Sequence, residues 1–290
     1  MKIALSTDTS CTISPSLAKK LNIFVFPLNV IVNGEEFLDG VSISQDDLKT
    51  AMRGNKIIKT STPPPNDIIK YFEDIFAQGY ETIIHFTISS KLSSMNTLFN
   101  QISHDNFNDK VIVIDSYSVC SLMLSHVLYA YDELQKGSDP LTIKENFEKR
   151  KLDNYVCFIP ENLTALKNGG RISPAIANLG NLIGLKPIIL LKDGALEKDS
   201  MTRNIKKGFM DNIKSAYEKY PLDKYDFTLI AFDANENLLN QLKSYISELI
   251  PGFKLDTLPI AINVCAHCGP GTIGFIVSPR INEKSLYDFL

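Results

Sequence analysis

The 290-residue chain has no surplus of positive charge, no long apolar run and few of the residues that most often do chemistry. Thirty Lys and Arg stand against 33 Asp and Glu, giving a net charge of -3, and the lysines form no stripe along one element. A nucleic-acid partner is not expected, because phosphate backbones are gripped by clustered cations. The most apolar run, residues 23–32, is broken by Pro27 and Asn29 and falls far short of the roughly 20 residues that span a bilayer. Lys2 is followed by only three apolar residues before Ser6, too few for a signal peptide. Five cysteines, an odd number thinly spread, suit reduced thiols better than a disulfide framework. The expected location is therefore the cytoplasm, with membrane contact at most transient. The sequence also lacks a P-loop, a G-x-S-x-G elbow and an H-E-x-x-H motif.

What is present is an alternation of strand-like and helix-like periods, which predicts an α/β protein. The length exceeds a usual single domain, so two α/β domains are expected, 1–152 and 153–290, the first with a mainly parallel sheet flanked by helices. In the first, strands are predicted at 2–5, 23–32, 82–87 and 111–115, with a hairpin at Asn33-Gly34 and a capping box at Ser44 and Asp47. In the second, strands are predicted at 155–159, 187–191, 227–232, 254–258 and 262–264, with helices at 175–183, 203–219 and 236–249 and a hairpin turn at Asp193-Gly194.

Ligands of open α/β sheets sit beyond the carboxyl ends of the strands, so hydroxyl-rich loops there are candidate binding elements. Four occur in the first half, at 6–10, 60–62, 87–94 and 115–118. Helix-start amides and hydroxyls make a neutral cradle for a carboxylate or phosphate, although each serine or threonine alone also reads as an N-cap. Gly169-Gly170-Arg171 reads as a tight turn aiming a guanidinium outward, or as an ordinary surface charge. Of the four histidines only His267 sits in a glycine-rich loop, Cys265-Ala266-His267-Cys268-Gly269-Pro270-Gly271; His85 falls inside a strand and His126 inside a helix. A redox or metal role for Cys265 and Cys268 fits poorly. A redox CxxC opens a helix, whereas Gly269-Pro270-Gly271 breaks one, and no second ligand pair stands at zinc spacing.

These loops, in this order, resemble the DegV family. Thr7-Asp8-Thr9-Ser10 is similar to its T-D-S-S loop, and Thr60-Ser61-Thr62-Pro63 to its T-S-Q-P segment. Ile88-Ser89-Ser90-Lys91-Leu92-Ser93 matches I-S-S-x-L-S, with Ser94-Met95 replacing Gly-Thr. Leu166-Lys167-Asn168-Gly169-Gly170-Arg171-Ile172-Ser173, Thr202-Arg203-Asn204 and His267-Cys268-Gly269-Pro270-Gly271 complete a resemblance that spans the chain. It implies a carrier, not an enzyme, that encloses a long-chain fatty acid between two domains and presents it to a separate ATP-dependent fatty acid kinase. No cofactor and no metal are implied. Thr60, Ser61, Ser93 and His267 would surround the carboxylate, with Asp8, Ser89, Ser90, Gly269 and Gly271 supporting the crevice and Arg171 and Arg203 docking the kinase. The other reading is a stand-alone enzyme acting on a small anionic metabolite with His267 as base.

Overall fold

The computed structural model describes residues 2–172, 184–251 and 255–290. The chain runs β1 (Ile3–Asp8), α1 (Pro15–Leu21), β2 (Ile23–Phe26), β3 (Asn29–Val32), β4 (Glu35–Leu38), α2 (Gln45–Arg53), β5 (Ile58–Ser61) and α3 (Pro65–Phe76). It continues through β6 (Thr82–Thr87), α4 (Met95–Phe107), β7 (Val111–Asp115), α5 (Cys120–Gln135), α6 (Pro140–Arg150), β8 (Tyr155–Ile159) and α7 (Thr164–Gly169). After the undescribed 173–183 come β9 (Lys186–Lys192), β10 (Ala195–Thr202), α8 (Ile205–Lys219), β11 (Tyr225–Phe232), α9 (Glu236–Leu249), β12 (Thr257–Pro259), α10 (Ile262–Cys268) and β13 (Thr272–Pro279).

The first sheet is four-stranded and parallel, in the order β2-β1-β6-β7. Parallel strands buried on both faces need largely apolar runs; β7 supplies one through Ile114, and β6 supplies one interrupted by His85. Ile83, Val111 and Val113 pack under Ile68 and Phe72 of α3 and Phe99 of α4. Ile84, Phe86 and Ile114 pack on the other face against Met123 and Val127 of α5 and Phe147 of α6. Ile281 and Leu286 of the C-terminal segment join that second cluster, so the end of the chain returns to α5.

The second sheet has six strands, β10-β9-β8-β13-β11-β12, antiparallel except for the β11–β12 pair. Period-two alternation divides its residues between two layers. Phe227, Leu229, Phe275 and Val277 face α8 and α9, while Ile230, Phe232 and Ile276 face a cluster shared with Val30 and Val32 of β3 and Leu122 of α5. A third, three-stranded antiparallel sheet, β4-β3-β5, lies in that shared cluster. Its hairpin turns at Asn33 and Gly34, both at positive φ (52° and 90°), the geometry a two-residue turn requires.

The α/β class and the parallel first sheet agree with the sequence reading; four local assignments differ. Residues 23–32 do not make one strand. Pro27, which has no N–H for a ladder, stands where the chain leaves the parallel sheet for the small one. Residues 262–264 belong to a helix, since a three-residue apolar run carries too little periodicity to separate strand from helix. β5 forms where a loop was read, and β13 follows the glycine-rich loop in a stretch for which no strand was predicted. The helix predicted at 175–183 and the start of the strand predicted at 254 lie outside the described residues.

A buried polar network ties three parts of this fold together. Asp8, at the carboxyl end of β1, accepts from the N–H groups of Ser10 and Ile88 at 2.8 Å each, and from the Ser10 hydroxyl. Ser10 Oγ in turn accepts from Asn263 Nδ2 at 2.7 Å. Asp39, just beyond β4, accepts from the Asn263 N–H at 3.0 Å and from the Thr9 hydroxyl. Loss of solvent pushes Asp8 up to about 6 and Asp39 up to about 7, against the pull of those hydrogen bonds.

Because both carboxyls hold protons more tightly folded than unfolded, their contribution to stability is full below the unfolded value near 3.8 and is lost as pH rises through 6 to 7. Asp39→Asn keeps an acceptor for the Asn263 N–H without the ionisation. Urea unfolding between pH 4.5 and 7.5 should show the variant losing less stability than the wild type, by on the order of 1–3 kcal/mol. Identical pH slopes in the two proteins would contradict the assignment.

Candidate functional site

The site forms where the carboxyl ends of the first sheet, the small sheet and the inner face of the second sheet meet. β5 ends at Ser61, and Pro63 to Pro65 then prevent the strand from continuing and open α3. This places Thr60, paired with Val30 of β3, opposite the last turn of α10. There Thr60 Oγ1 and His267 Nε2 lie 2.9 Å apart. His267 can approach because residue 169 is glycine: a Cβ at Gly169 would stand 2.2 Å from His267 Nδ1.

Burial, and secondarily the charge of Arg171, pushes His267 down to about 4, so the ring is neutral at pH 7. Nδ1 is buried without a partner among the described residues. An unpaired buried N–H is rarer than an unpaired acceptor, which favours the tautomer with the proton on Nε2. Nε2–H then donates to Thr60, leaving the Thr60 hydroxyl proton for a ligand.

The surrounding polar groups come from several loops. Thr62 Oγ1 lies 3.4 Å from Ser94 Oγ, bringing the end of β5 to the start of α4. Ser93 Oγ accepts from the Met95 N–H at 3.4 Å. Ser61 donates its hydroxyl to Glu36 Oε1 at 2.9 Å, and Asn29 Nδ2 donates to the same oxygen at 2.6 Å. With its single proton engaged, Ser61 presents lone pairs to a ligand unless it turns away from Glu36.

Together these groups line a cavity of about 150 Å³, some ten times the roughly 15 Å³ that admits one water molecule. Its polar lining includes Thr60, Ser61, Thr62, Ser93, Ser94, Arg171 and His267. Its apolar lining includes Val156, Phe158, Leu191, Leu196 and Ile230 from the second sheet, with Leu28, Ile88, Leu92 and Ile260. Thr62, Ser94 and Met95, three of the positions at which the DegV-like motifs are altered, belong to the wall, as does Cys268.

Of the residues singled out in the sequence, Thr60, Ser61, Ser93, His267 and Arg171 are brought together here. Arg171 does not point outward as the glycine turn suggested. Its Nε donates to Leu92 O at 3.2 Å and its Nη1 to Gly169 O at 2.5 Å, because the αL conformation of Gly170 turns the chain back over the cavity. Asp8, Ser89 and Ser90 stand behind the wall. Ser89 Oγ donates to Gly194 O at 2.7 Å, joining the β9–β10 turn to the segment after β6, and the Ser90 N–H donates to Asp115 at 3.1 Å. Gly269 and Gly271 shape the turn between α10 and β13 without lining the cavity. Arg203 is exposed in the turn between β10 and α8, away from the lining.

The sequence reading missed Asn29, Glu36 and Asn263. For Asn263 a signal existed: it is a single amide inside the apolar run 258–264. Cys265 and Cys268 are free and buried, at the middle and the end of α10, so the pair does not open the helix. Among the described residues, no group of three or more His, Cys, Asp or Glu is arranged to hold a metal, and no helix is long and apolar enough to cross a membrane.

Known proteins resemble this chain over most of its length. A DegV domain-containing protein of Halalkalibacterium halodurans is 27% identical over 281 residues, covering 94% of this chain and 97% of its own. One from Listeria innocua is 30% identical, covering 71% of this chain and 73% of its own. Among solved structures, a DegV-family protein of Thermus thermophilus described for its fatty-acid binding superposes with a TM-score of 0.85 at 25% identity, covering 96% of this chain and 100% of that one. A stearic-acid-binding protein of Eubacterium ventriosum superposes equally well, with a TM-score of 0.85 at 23% identity over 97% of this chain and 99% of its own, which shows the shared fold. The family model described as uncharacterised proteins of the DegV family matches residues 2–280. The chain belongs to the DegV family.

Proposed function

We propose that this protein binds a long-chain fatty acid in the cavity and presents the carboxylate to a separate, ATP-dependent fatty acid kinase in the cytoplasm, performing no chemistry alone. The observation that carries the reading is a largely apolar cavity in which the hydroxyls of Thr60 and Ser93 are grouped with His267, which orients the Thr60 hydroxyl. The fatty-acid binding described for the Thermus thermophilus relative supports it. The kinase partner is supported by the resemblance of the motifs to those of DegV carriers.

Energetics divide the work between the two ends of the ligand. Each buried methylene contributes about 0.8 kcal/mol, so a tail of about fourteen contributes on the order of 10 kcal/mol before the costs of binding. The head group loses water, and well-placed hydroxyls offset that loss with little to spare. Affinity therefore resides in the tail, and the hydroxyls hold the carboxylate in the orientation a kinase needs. The alternative, in which His267 acts as a general base in a stand-alone enzyme, suits the site less well, because a ring held at about 4 is a weak base at neutral pH.

Three outcomes are expected. Protein purified from cells and extracted with organic solvent should release about one equivalent of long-chain fatty acid by mass spectrometry. A lipid-free protein that takes up neither added palmitate nor oleate rejects the reading. Thr60→Val should weaken palmitate binding by no more than about fivefold, the worth of one hydrogen bond, while reducing acyl phosphate formation with kinase and ATP by more; a larger loss of binding than of transfer contradicts the division of labour. Arg203→Ala should impair phosphorylation of the bound acid and leave its affinity unchanged, whereas equal loss of both removes Arg203 from partner docking.

A further inference from the structure

On α10 the residues lining the cavity are Asn263, Val264, His267 and Cys268, one stripe repeating at four-residue intervals. Val264 and Cys268 suit an acyl chain, and His267 is engaged with Thr60. Asn263 is the exception, an amide only 5% exposed in the wall of a largely apolar cavity. Its Nδ2 donates to Ser10 Oγ and its backbone N–H to Asp39, but its Oδ1 has no partner among the described residues. The opposite amide orientation is disfavoured: it would set Oδ1 against a Ser10 hydroxyl whose proton is given to Asp8. An acceptor buried without a donor is costly, and the cost is relieved when a donor arrives through the cavity.

Resting on the acyl-binding reading above, we propose that Asn263 Oδ1 accepts a hydrogen bond from a hydroxyl on the ligand's chain, so that the favoured ligand is a hydroxylated long-chain fatty acid. Asn263 is four residues from His267, about 6 Å of helix rise and the length of a few carbon–carbon bonds. With the carboxylate beside His267, that spacing selects a hydroxyl within the first several carbons over one near the methyl end. An aliphatic acid of the same length still fits but leaves Oδ1 unpaired.

Calorimetric titration of delipidated protein with palmitate, β-hydroxypalmitate and stearate hydroxylated near its methyl end tests this. The wild type should bind β-hydroxypalmitate about five- to tenfold more tightly than palmitate, with no gain for the other isomer. Asn263→Leu, checked for folding by its melting transition, should lose or reverse that preference. Palmitate binding as tightly as β-hydroxypalmitate in the wild type, or a preference that survives in Asn263→Leu, overturns the inference. Should the variant not fold, the comparison of the three acids on the wild type decides. If none of the three binds, acyl binding itself fails; tight palmitate without gain from the hydroxyl sinks only the role of Asn263.

Discussion

The hydrogen bond between Thr60 and His267 is the constraint around which the site is organised. It joins α10, in the second half of the chain, to β5 of the small sheet, at the cavity wall. It forms only because Gly169 leaves room for the imidazole, and burial there holds the ring neutral. A neutral ring donates one proton to Thr60 and adds no net charge beside a buried carboxylate. With the Arg171 guanidinium engaged by backbone carbonyls, uncharged side chains beside an apolar wall make up most of the lining, which suits a ligand most of whose binding comes from its tail.

Around this contact the fold uses backbone carbonyls and buried acids as fixed points. Arg171 lies over the cavity because two carbonyls, of Leu92 and Gly169, hold its guanidinium. Through Leu92 this arginine is tied to the segment that carries Ser93. Asp8 and Asp39 act behind the wall, fixing the loop after β1 and the start of α10 through Asn263. Much of the polar chemistry of this region positions backbone; the groups that face the cavity are a small subset.

How much of this was legible in the sequence depended on how local the signal was. The parallel strands β6 and β7 and the long helices announce themselves by apolar runs and caps, and the hairpin at Asn33-Gly34 by its turn chemistry. Thr60, Ser93 and His267 were visible because hydroxyls and glycines cluster in loops where a binding crevice was expected. β5 was not, since Ile58-Lys59-Thr60-Ser61 lacks the apolar alternation of a half-buried strand and is held by its pairing with β3. The inward turn of Arg171 depends on Leu92, 79 residues away. Glu36 escaped notice for the same reason, since what makes it matter is its tertiary neighbour Ser61, whereas Asn263 left a local trace as a lone amide in an apolar run but has its partner, Ser10, 253 residues away.

The central claim is that a carboxylate comes to rest, out of water, beside Thr60 and His267. It is tested most directly by NMR on protein with labelled histidine and threonine, loaded with palmitate enriched with carbon-13 at its carboxyl. The account predicts magnetisation transfer between that carboxyl and both side chains, with a carboxyl resonance that does not titrate across the range of the free acid. A bound acid whose carboxyl titrates as it does in water, and shows no transfer to His267 or Thr60, would contradict it.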